Sequence, residues 1–268
     1  MKKYNACVGF LLGFLILWNP ALWAQTDYNK PLEVRYVIDG DTFVLKNGDH
    51  VRVVSINAPE ISHKKGKASM PFAQKSKQFT QNFVRQKPVN LVFNAPENRP
   101  QTDRHHRLLA HVYTGDVSPE TWLNGALVRE GLAYVYSFPD NVEHVDTLLK
   151  LEAEARTRGK GIWSSPRYQV RSAKAPYPEH LFGLFGWVKG TVYATAKVGD
   201  KIFLNFGPNW REDFSVEIRE RNWEHFYAAN IDPVHFYKGK TVLVRGVVKP
   251  VNGALVTVTH PQQLEILN

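Results

Sequence analysis

From Leu32 onward the apolar residues fall in short runs bounded by turn formers, a pattern that predicts mainly strands with a few helices between them. The clearest pair is Thr42 to Lys46 and Asp49 to Val54, two β-rich runs on either side of Asn47-Gly48. Asn-Gly accepts the positive φ angles of a two-residue hairpin turn. Such a turn sets Lys46 opposite Asp49, Phe43 opposite Arg52 and Asp41 opposite Val54, with Asp41 and Arg52 as diagonal neighbours on one face. Leu32 to Val37 is a strand leading into this hairpin. Pro59 ends the second strand, because it lacks an N–H and holds Ala58 extended. Asn57, the Ala58 carbonyl and Glu60 are thereby left on an irregular loop at the strand's end.

Further along, Ala73 to Gln86 is predicted helical, with Phe72, Phe79 and Phe83 spaced to face a core. Val89 to Phe93 and Leu108 to Tyr113 read as strands, separated by a loop from Asn94 to Thr102 that Pro96 and Pro100 interrupt. Ser118-Pro119-Glu120 has the form of an N-cap with proline in the first turn, opening a helix to Glu130 that stops at Gly131. A last helix spans Asn141 to Arg158, stopped by Gly159 and Gly161. The proline-rich run 167–178 reads as a linker. Beyond it lies a second periodic unit with strands at Trp187 to Tyr193, Lys201 to Phe206, Asp213 to Ile218, Lys240 to Val248 and Ala254 to Val258, and a helix near Trp223 to Ala229. Alternation turns Ile202, Leu204 and Phe206 inward and leaves Phe203 outward, with Trp210-Arg211 on a loop.

Composition excludes a disordered or collagen-like chain: of 268 residues, 43% are hydrophobic and 22% charged. Charge is unevenly placed, with 22 basic and 16 acidic residues between 25 and 178 but 10 and 9 from 179 onward. Attraction for a polyanion is therefore expected in the first unit. Met1-Lys2-Lys3, an apolar run from Cys7 to Trp18 and a small residue at Ala24 have the form of a secretory signal over 1–24, which implies a secreted or periplasmic protein. An uncleaved membrane anchor or a buried N-terminal helix are the alternatives. Cys7 is the single cysteine and would leave with the signal, so no disulfide or thiol chemistry is expected.

The loop around Asn57 and the adjoining hairpin carry the chemistry. A hard cation such as Ca²⁺ takes carboxylate and carbonyl oxygens, a guanidinium pairs with two phosphate oxygens at once, and a spare carboxylate can take a proton from water. Ile38-Asp-Gly-Asp-Thr42, Val51-Arg-Val-Val-Ser-Ile-Asn-Ala-Pro-Glu60 and Asp103-Arg-His-His-Arg107, with Gly125 to Ala133 and Gly161-Ile-Trp163, resemble the staphylococcal nuclease family over roughly Leu32 to Ser165. The resemblance implies an oligonucleotide-binding-type β-barrel with helices over 25–166. It also implies hydrolysis of DNA and/or RNA with little sequence preference, leaving a 3′-phosphate. In it Asp41, Asn57 and the Ala58 carbonyl hold Ca²⁺, Arg52 and Arg107 clamp the phosphate, and Glu60 activates or orients water. Arg104, Tyr134 and Tyr136 are expected against the substrate, and Lys64 and Lys65 in a basic loop that steers it. The unit 179–268 resembles a second, smaller fold of the oligonucleotide-binding type, with a role in packing, in partner binding or in base stacking through Phe203 and Trp210.

Two departures stand out. Asn57 replaces the aspartate of the family's type member, which leaves a binding module with lost catalysis as the alternative function. His105 and His106 replace the usual aromatic and glycine; with His111 they could suggest a transition-metal site, but adjacent side chains of an extended chain point apart and no cysteine joins them.

Overall fold

The computed structural model describes residues 26–62, 64–66, 68–85 and 87–267. The expected signal segment and Cys7 lie outside the described residues, as do His63 and Lys67 of the basic loop.

The first unit is a β-barrel with helices, the fold class expected. Strands β1 (Val34–Asp39), β2 (Thr42–Leu45) and β3 (His50–Val53) form a meander. The short β4 (Ile56–Asn57) follows, then helix α1 (Ala73–Val84) and β5 (Val89–Val92). β6 (Leu108–Thr114) pairs parallel to β3 and antiparallel to β5. Leu32 and Val89 exchange both backbone hydrogen bonds at 2.8 Å, which joins the first strand's approach to the last strand and closes the ring. Phe43, Val51, Val53, Ala110 and Val112 fill the interior with essentially no exposure.

The hairpin register differs by one residue from expectation. Thr42 faces Arg52, Phe43 faces Val51 and Val44 faces His50. Gly48 alone is left-handed, at φ 96°, and its N–H reaches the Leu45 carbonyl at 3.0 Å, giving a three-residue loop rather than a two-residue one. Asn47 Oδ1 accepts from the Asp49 N–H at 3.1 Å, a local bond that favours this longer loop. Asp41 therefore lies beyond the end of β2, in a turn, and its meeting with Arg52 owes nothing to strand alternation.

Helix α1 holds that turn. A Cβ on Gly40 would stand 1.9 Å from Ser76 Oγ, and Thr80 Oγ1 donates to the Gly40 carbonyl at 2.6 Å. The helix face toward the barrel is made of Ala73, Ser76, Thr80 and Val84, small enough for this approach, while Phe79 and Phe83 stack on one another at its edge.

Helix α2 (Leu123–Arg129) starts later than Ser118-Pro119 predicted. Thr121 Oγ1 bonds back to the Ser118 carbonyl and Trp122 pairs with Tyr113, so both residues are committed to a turn and a bridge. β7 (Tyr134–Val135) pairs with β4, placing Asn57 opposite Tyr134, and α3 (Val145–Thr157) packs on α2.

The run expected as a linker is built into the second unit. Tyr168 is buried, and β8 (Arg171–Ser172) pairs parallel to β9 (Phe185–Thr191). β10 (Ala194–Val198), β11 (Lys201–Asn205) and β12 (Phe214–Arg219) form a meander, followed by helices α4 (Trp223–Tyr227) and α5 (Pro233–Phe236). β13 (Thr241–Lys249), β14 (Ala254–Val258) and β15 (Leu264–Ile266) complete the sheet. Its order is β10-β11-β12-β14-β13-β9-β8, with β15 on β13 and with β12 parallel to β14.

The two units share a core. Tyr134 stacks on Phe185 at 5.0 Å and meets the edge of Trp187 at 5.1 Å. Beside them Glu152, fully buried, accepts from the Val135 N–H, Trp187 Nε1 and Arg245 Nη1 at 3.0, 3.1 and 2.7 Å. Arg245, equally buried, also pairs with Glu265 at 2.8 Å, so charges taken out of water are paired and hydrogen-bonded.

Candidate active site

The turn between β1 and β2, the end of β3 and the loop after β4 converge. Ser55 is left-handed at φ 62° and kinks the chain between β3 and β4, turning Asn57 to Glu60 back across the barrel end. Asp41 Oδ2 accepts from the Ala58 N–H at 2.6 Å and lies 3.2 Å from Arg52 Nη2, while its Oδ1 accepts from Thr42 Oγ1 at 3.0 Å. Arg52 also donates to the Val53 carbonyl, to the Ile56 carbonyl at 2.9 Å and to Asn57 Oδ1 at 2.9 Å. Its guanidinium is thus set in a fixed frame by protein oxygens.

A cavity of about 560 Å³ brings Arg52, Asn57, Glu60, Arg104, Arg107 and Tyr136 together. Glu60 is exposed at its wall, and its backbone exchanges contacts with Met70, whose N–H donates to the Glu60 carbonyl at 3.0 Å. Arg107 is aimed by Asp103, which accepts from its Nε at 2.8 Å, from its backbone N–H at 3.0 Å and pairs with Nη2 at 2.7 Å. Partial burial alone would raise the Asp103 carboxyl; the hydrogen bonds from Arg107 outweigh it and hold the group below its usual range. Arg107 Nη1 makes no hydrogen bond among the described residues. Arg104 is exposed at the same wall, with its Nε 3.2 Å from His105 Nε2.

Asp39 was not singled out from the sequence, although its spacing in Asp39-Gly-Asp41 was the available signal. It accepts from the Asp41 N–H at 3.2 Å, and its pKa is pushed up to about 7, first by burial and then by the negative charges of Asp41 and Glu60. Three carboxylates of one sign crowd this corner. Asp39, Asp41 and the Ala58 carbonyl are hard oxygens of the kind a divalent cation such as Ca²⁺ takes, and a cation's charge would relieve the repulsion that adds to burial in raising Asp39.

Several expectations need correction. Asn57 turns its oxygen to Arg52 and its amide nitrogen to the Ala58 carbonyl and Tyr134 Oη, at 3.2 and 3.0 Å. An NH₂ cannot ligate metal, and turning the amide over would set it against the Arg52 donors. In this arrangement the Asn57 oxygen holds Arg52. Tyr134 is buried beneath the second unit and does not line the cavity, since β7 places it behind Asn57. Tyr136 does line it, with Phe138 edge-on at 5.0 Å and half exposed; Phe138 was missed, and its place two residues after Tyr136 was the signal. Lys64 and Lys65, expected to steer the substrate from a basic loop, are exposed and lie outside the cavity wall, which leaves that expectation as it stood. His111 is in the core, bonded to Asn124 and Trp122, and so is separated from the exposed His105 and His106. Among the described residues, no group of three His, Cys, Asp or Glu side chains is placed to hold a metal, so any cation here must draw on backbone oxygen as well.

Residues 50–165 match the family model described as staphylococcal nuclease homologue. The chain is 32% identical over 164 residues to "Protein ParB" of Escherichia coli, covering 58% of this chain and 81% of that protein. The chain belongs to the staphylococcal nuclease family. It is also 31% identical over 158 residues to an "Uncharacterized endonuclease" of Haemophilus influenzae, covering 58% of this chain and 78% of the relative. A "Probable endonuclease LCL3" of Komagataella phaffii is 30% identical over 128 residues, 44% of this chain and 50% of that protein. Membership makes this chain a nuclease-family hydrolase whose substrate class is nucleic acid. The family model ends at Ser165, before the second unit begins.

Proposed function

We propose that this chain is an exported, metal-dependent endonuclease that hydrolyses phosphodiester bonds of DNA and/or RNA with little sequence preference. The observation that carries the reading is the single cavity lined by Arg52, Arg107 and Glu60 beside the Asp39–Asp41 turn. Two guanidiniums held by carboxylates form a rigid anion clamp, and a third, exposed carboxylate stands where a proton can be taken up. Among the described residues no element has the form of a helix built to read a duplex groove, which fits low sequence preference.

Asp41, the Ala58 carbonyl and Asp39 would hold Ca²⁺, which when bound supplies positive charge against the phosphate. The scissile phosphate lies between Arg52 and Arg107, whose donors take the charge that builds on its oxygens. Glu60 accepts the proton of the attacking water. The water oxygen bonds to phosphorus as the bond from phosphorus to the 5′ oxygen breaks; the 5′ oxygen leaves as a hydroxyl, with a proton from solvent, and the 3′-phosphate remains. Tyr136 and Phe138 offer an aromatic wall to the neighbouring base.

Purified chain is incubated with denatured DNA or RNA, with Ca²⁺ or with chelator, and the new ends are identified. Cleavage in Ca²⁺ alone with 3′-phosphate ends is expected. Tight binding without cleavage under every condition would replace this reading with a binding module.

A further inference from the structure

The second unit carries an aromatic and basic face on the side of its sheet opposite its own core. On β11, Lys201, Phe203 and Asn205 point to the side opposite the buried Ile202 and Leu204. Register carries this face across the sheet: Phe203 pairs with Ala196 and Glu217, Lys201 with Arg219, and Leu255 with Ser215 and Lys249. Trp210, half exposed on the β11–β12 loop, overhangs it, and together with Phe203, Val198 and Leu255 it walls a cavity of about 400 Å³. Asn205 and Ser215 line the same cavity and bond to each other at 3.1 Å. The Arg211 guanidinium lies over the Trp210 ring at 4.4 Å.

The overall balance of ten basic and nine acidic residues conceals how charge is distributed in this unit. Arg245 is spent in the buried pair with Glu152. Lys201, Arg219 and Lys249 occupy outward strand positions around Phe203, and the acid at an outward position among them, Glu217, is already paired with Lys201 and Arg219. Two aromatic faces, a hydrogen-bonding floor and a cationic rim are the parts of a platform that stacks bases and tracks a phosphate backbone.

We infer that this face binds single-stranded nucleic acid, with unpaired bases on Phe203 and Trp210 and phosphates along Lys201, Arg211 and Lys249. The choice of occupant rests on the nuclease reading, since a nuclease with a second hold on its strand stays on it between cuts. An apolar peptide would use the same cavity but would gain little from the cationic rim.

The test measures binding by the full chain, in chelator so that nothing is cut. The probe is a fluorescein-labelled single strand of about 30 nucleotides, longer than the roughly 4 to 16 that one such fold occupies. A duplex of the same sequence is the control. Phe203→Leu and Trp210→Ala should each weaken single-strand binding about tenfold, within the range expected for losing one stacked base, and leave duplex binding unchanged. Phe203→Tyr, which keeps the ring, should bind as the parent does. Thermal midpoints identify any variant that fails to fold, and Trp210 on its exposed loop carries the test if Phe203→Leu does. Single-strand binding within twofold of the parent for the folded variants overturns the proposal and leaves the face to a protein partner. Failure of the nuclease reading shows separately, as absence of cleavage by the parent in Ca²⁺ while the dependence on Trp210 persists.

Discussion

Arg107→Ala is the sharpest perturbation of the clamp. Nε and Nη2 of Arg107 are fixed on Asp103 at 2.8 and 2.7 Å, so the guanidinium is preorganised and its Nη1 edge is available to a phosphate. Loss of one preorganised donor costs about 3 to 4 kcal/mol of transition-state stabilisation, or a factor of about 10² to 10³ in kcat. A second effect adds to it. Asp103 loses its ion pair and the side-chain hydrogen bond from Nε, keeps the backbone N–H donors of residues 105 and 107, and is left as a carboxylate without a cation in the wall of a site for anions. Asp103→Asn removes that charge, so the double variant should be faster than Arg107→Ala alone, and the cycle of four proteins isolates the coupling. Arg107→Lys should not restore the parent rate, because an ammonium cannot keep Asp103 and grip a planar pair of oxygens at once. Initial rates on denatured DNA at saturating Ca²⁺, with kcat and KM separated, are the assay. A kcat for Arg107→Ala within a few-fold of the parent, or a double variant no faster than the single, would refute the assignment.

Other consequences are as open to test. Glu60→Gln should lower turnover by about 10² to 10⁴ while binding of a non-cleavable oligonucleotide survives; equal loss of both would make Glu60 a metal or folding residue. Asn57→Asp places a carboxylate against Arg52 and beside the Ala58 carbonyl, so the Ca²⁺ concentration for half-maximal activity should fall; an unchanged value confines position 57 to holding Arg52. Arg245→Met takes from the buried Glu152 the nearer of its two guanidiniums, leaving Arg156 Nη1 at 3.5 Å, and should destabilise the chain by about 3 kcal/mol in denaturant unfolding, with most of the loss recovered by adding Glu152→Gln. His260, bonded to Ser137 across the two units, is pushed down to about 4 by burial and then by the charges of His225 and Arg245. Below pH 6.5 the unfolded chain takes up a proton that the folded one refuses, so this contribution is full above 6.5 and lost as pH falls toward 4. The loss is on the order of 3 kcal/mol, and the difference between parent and His260→Gln unfolding curves across that window should show it.

Local sequence determined the barrel and the identity of its chemistry. Asn47-Gly48, Pro59 and the alternation around Phe43 and Val53 place a hairpin and a ligand-bearing loop wherever the chain runs, because turn dihedrals and a two-residue side-chain period are local properties. Arg52, Glu60 and Arg107 stand in the motifs that resemble the staphylococcal nuclease family, and the fold brings all three to one cavity. Tertiary structure decided what distant residues do to one another. Asp39 joins the acid corner because Ser76 and Thr80, nearly 40 residues away, press α1 onto Gly40. Tyr134 looked like a substrate contact and is instead a buried strut, since Phe185 and Trp187 of the second unit cover it. The orientation of the Asn57 amide is set by Tyr134 and Arg52, one of them 77 residues away along the chain. The basic face around Phe203 is invisible in a count of charges, because pairing five strands is what gathers cations scattered over some 50 residues onto one side, while Arg245, on the same strand as Lys249, is buried against Glu152 of the first unit.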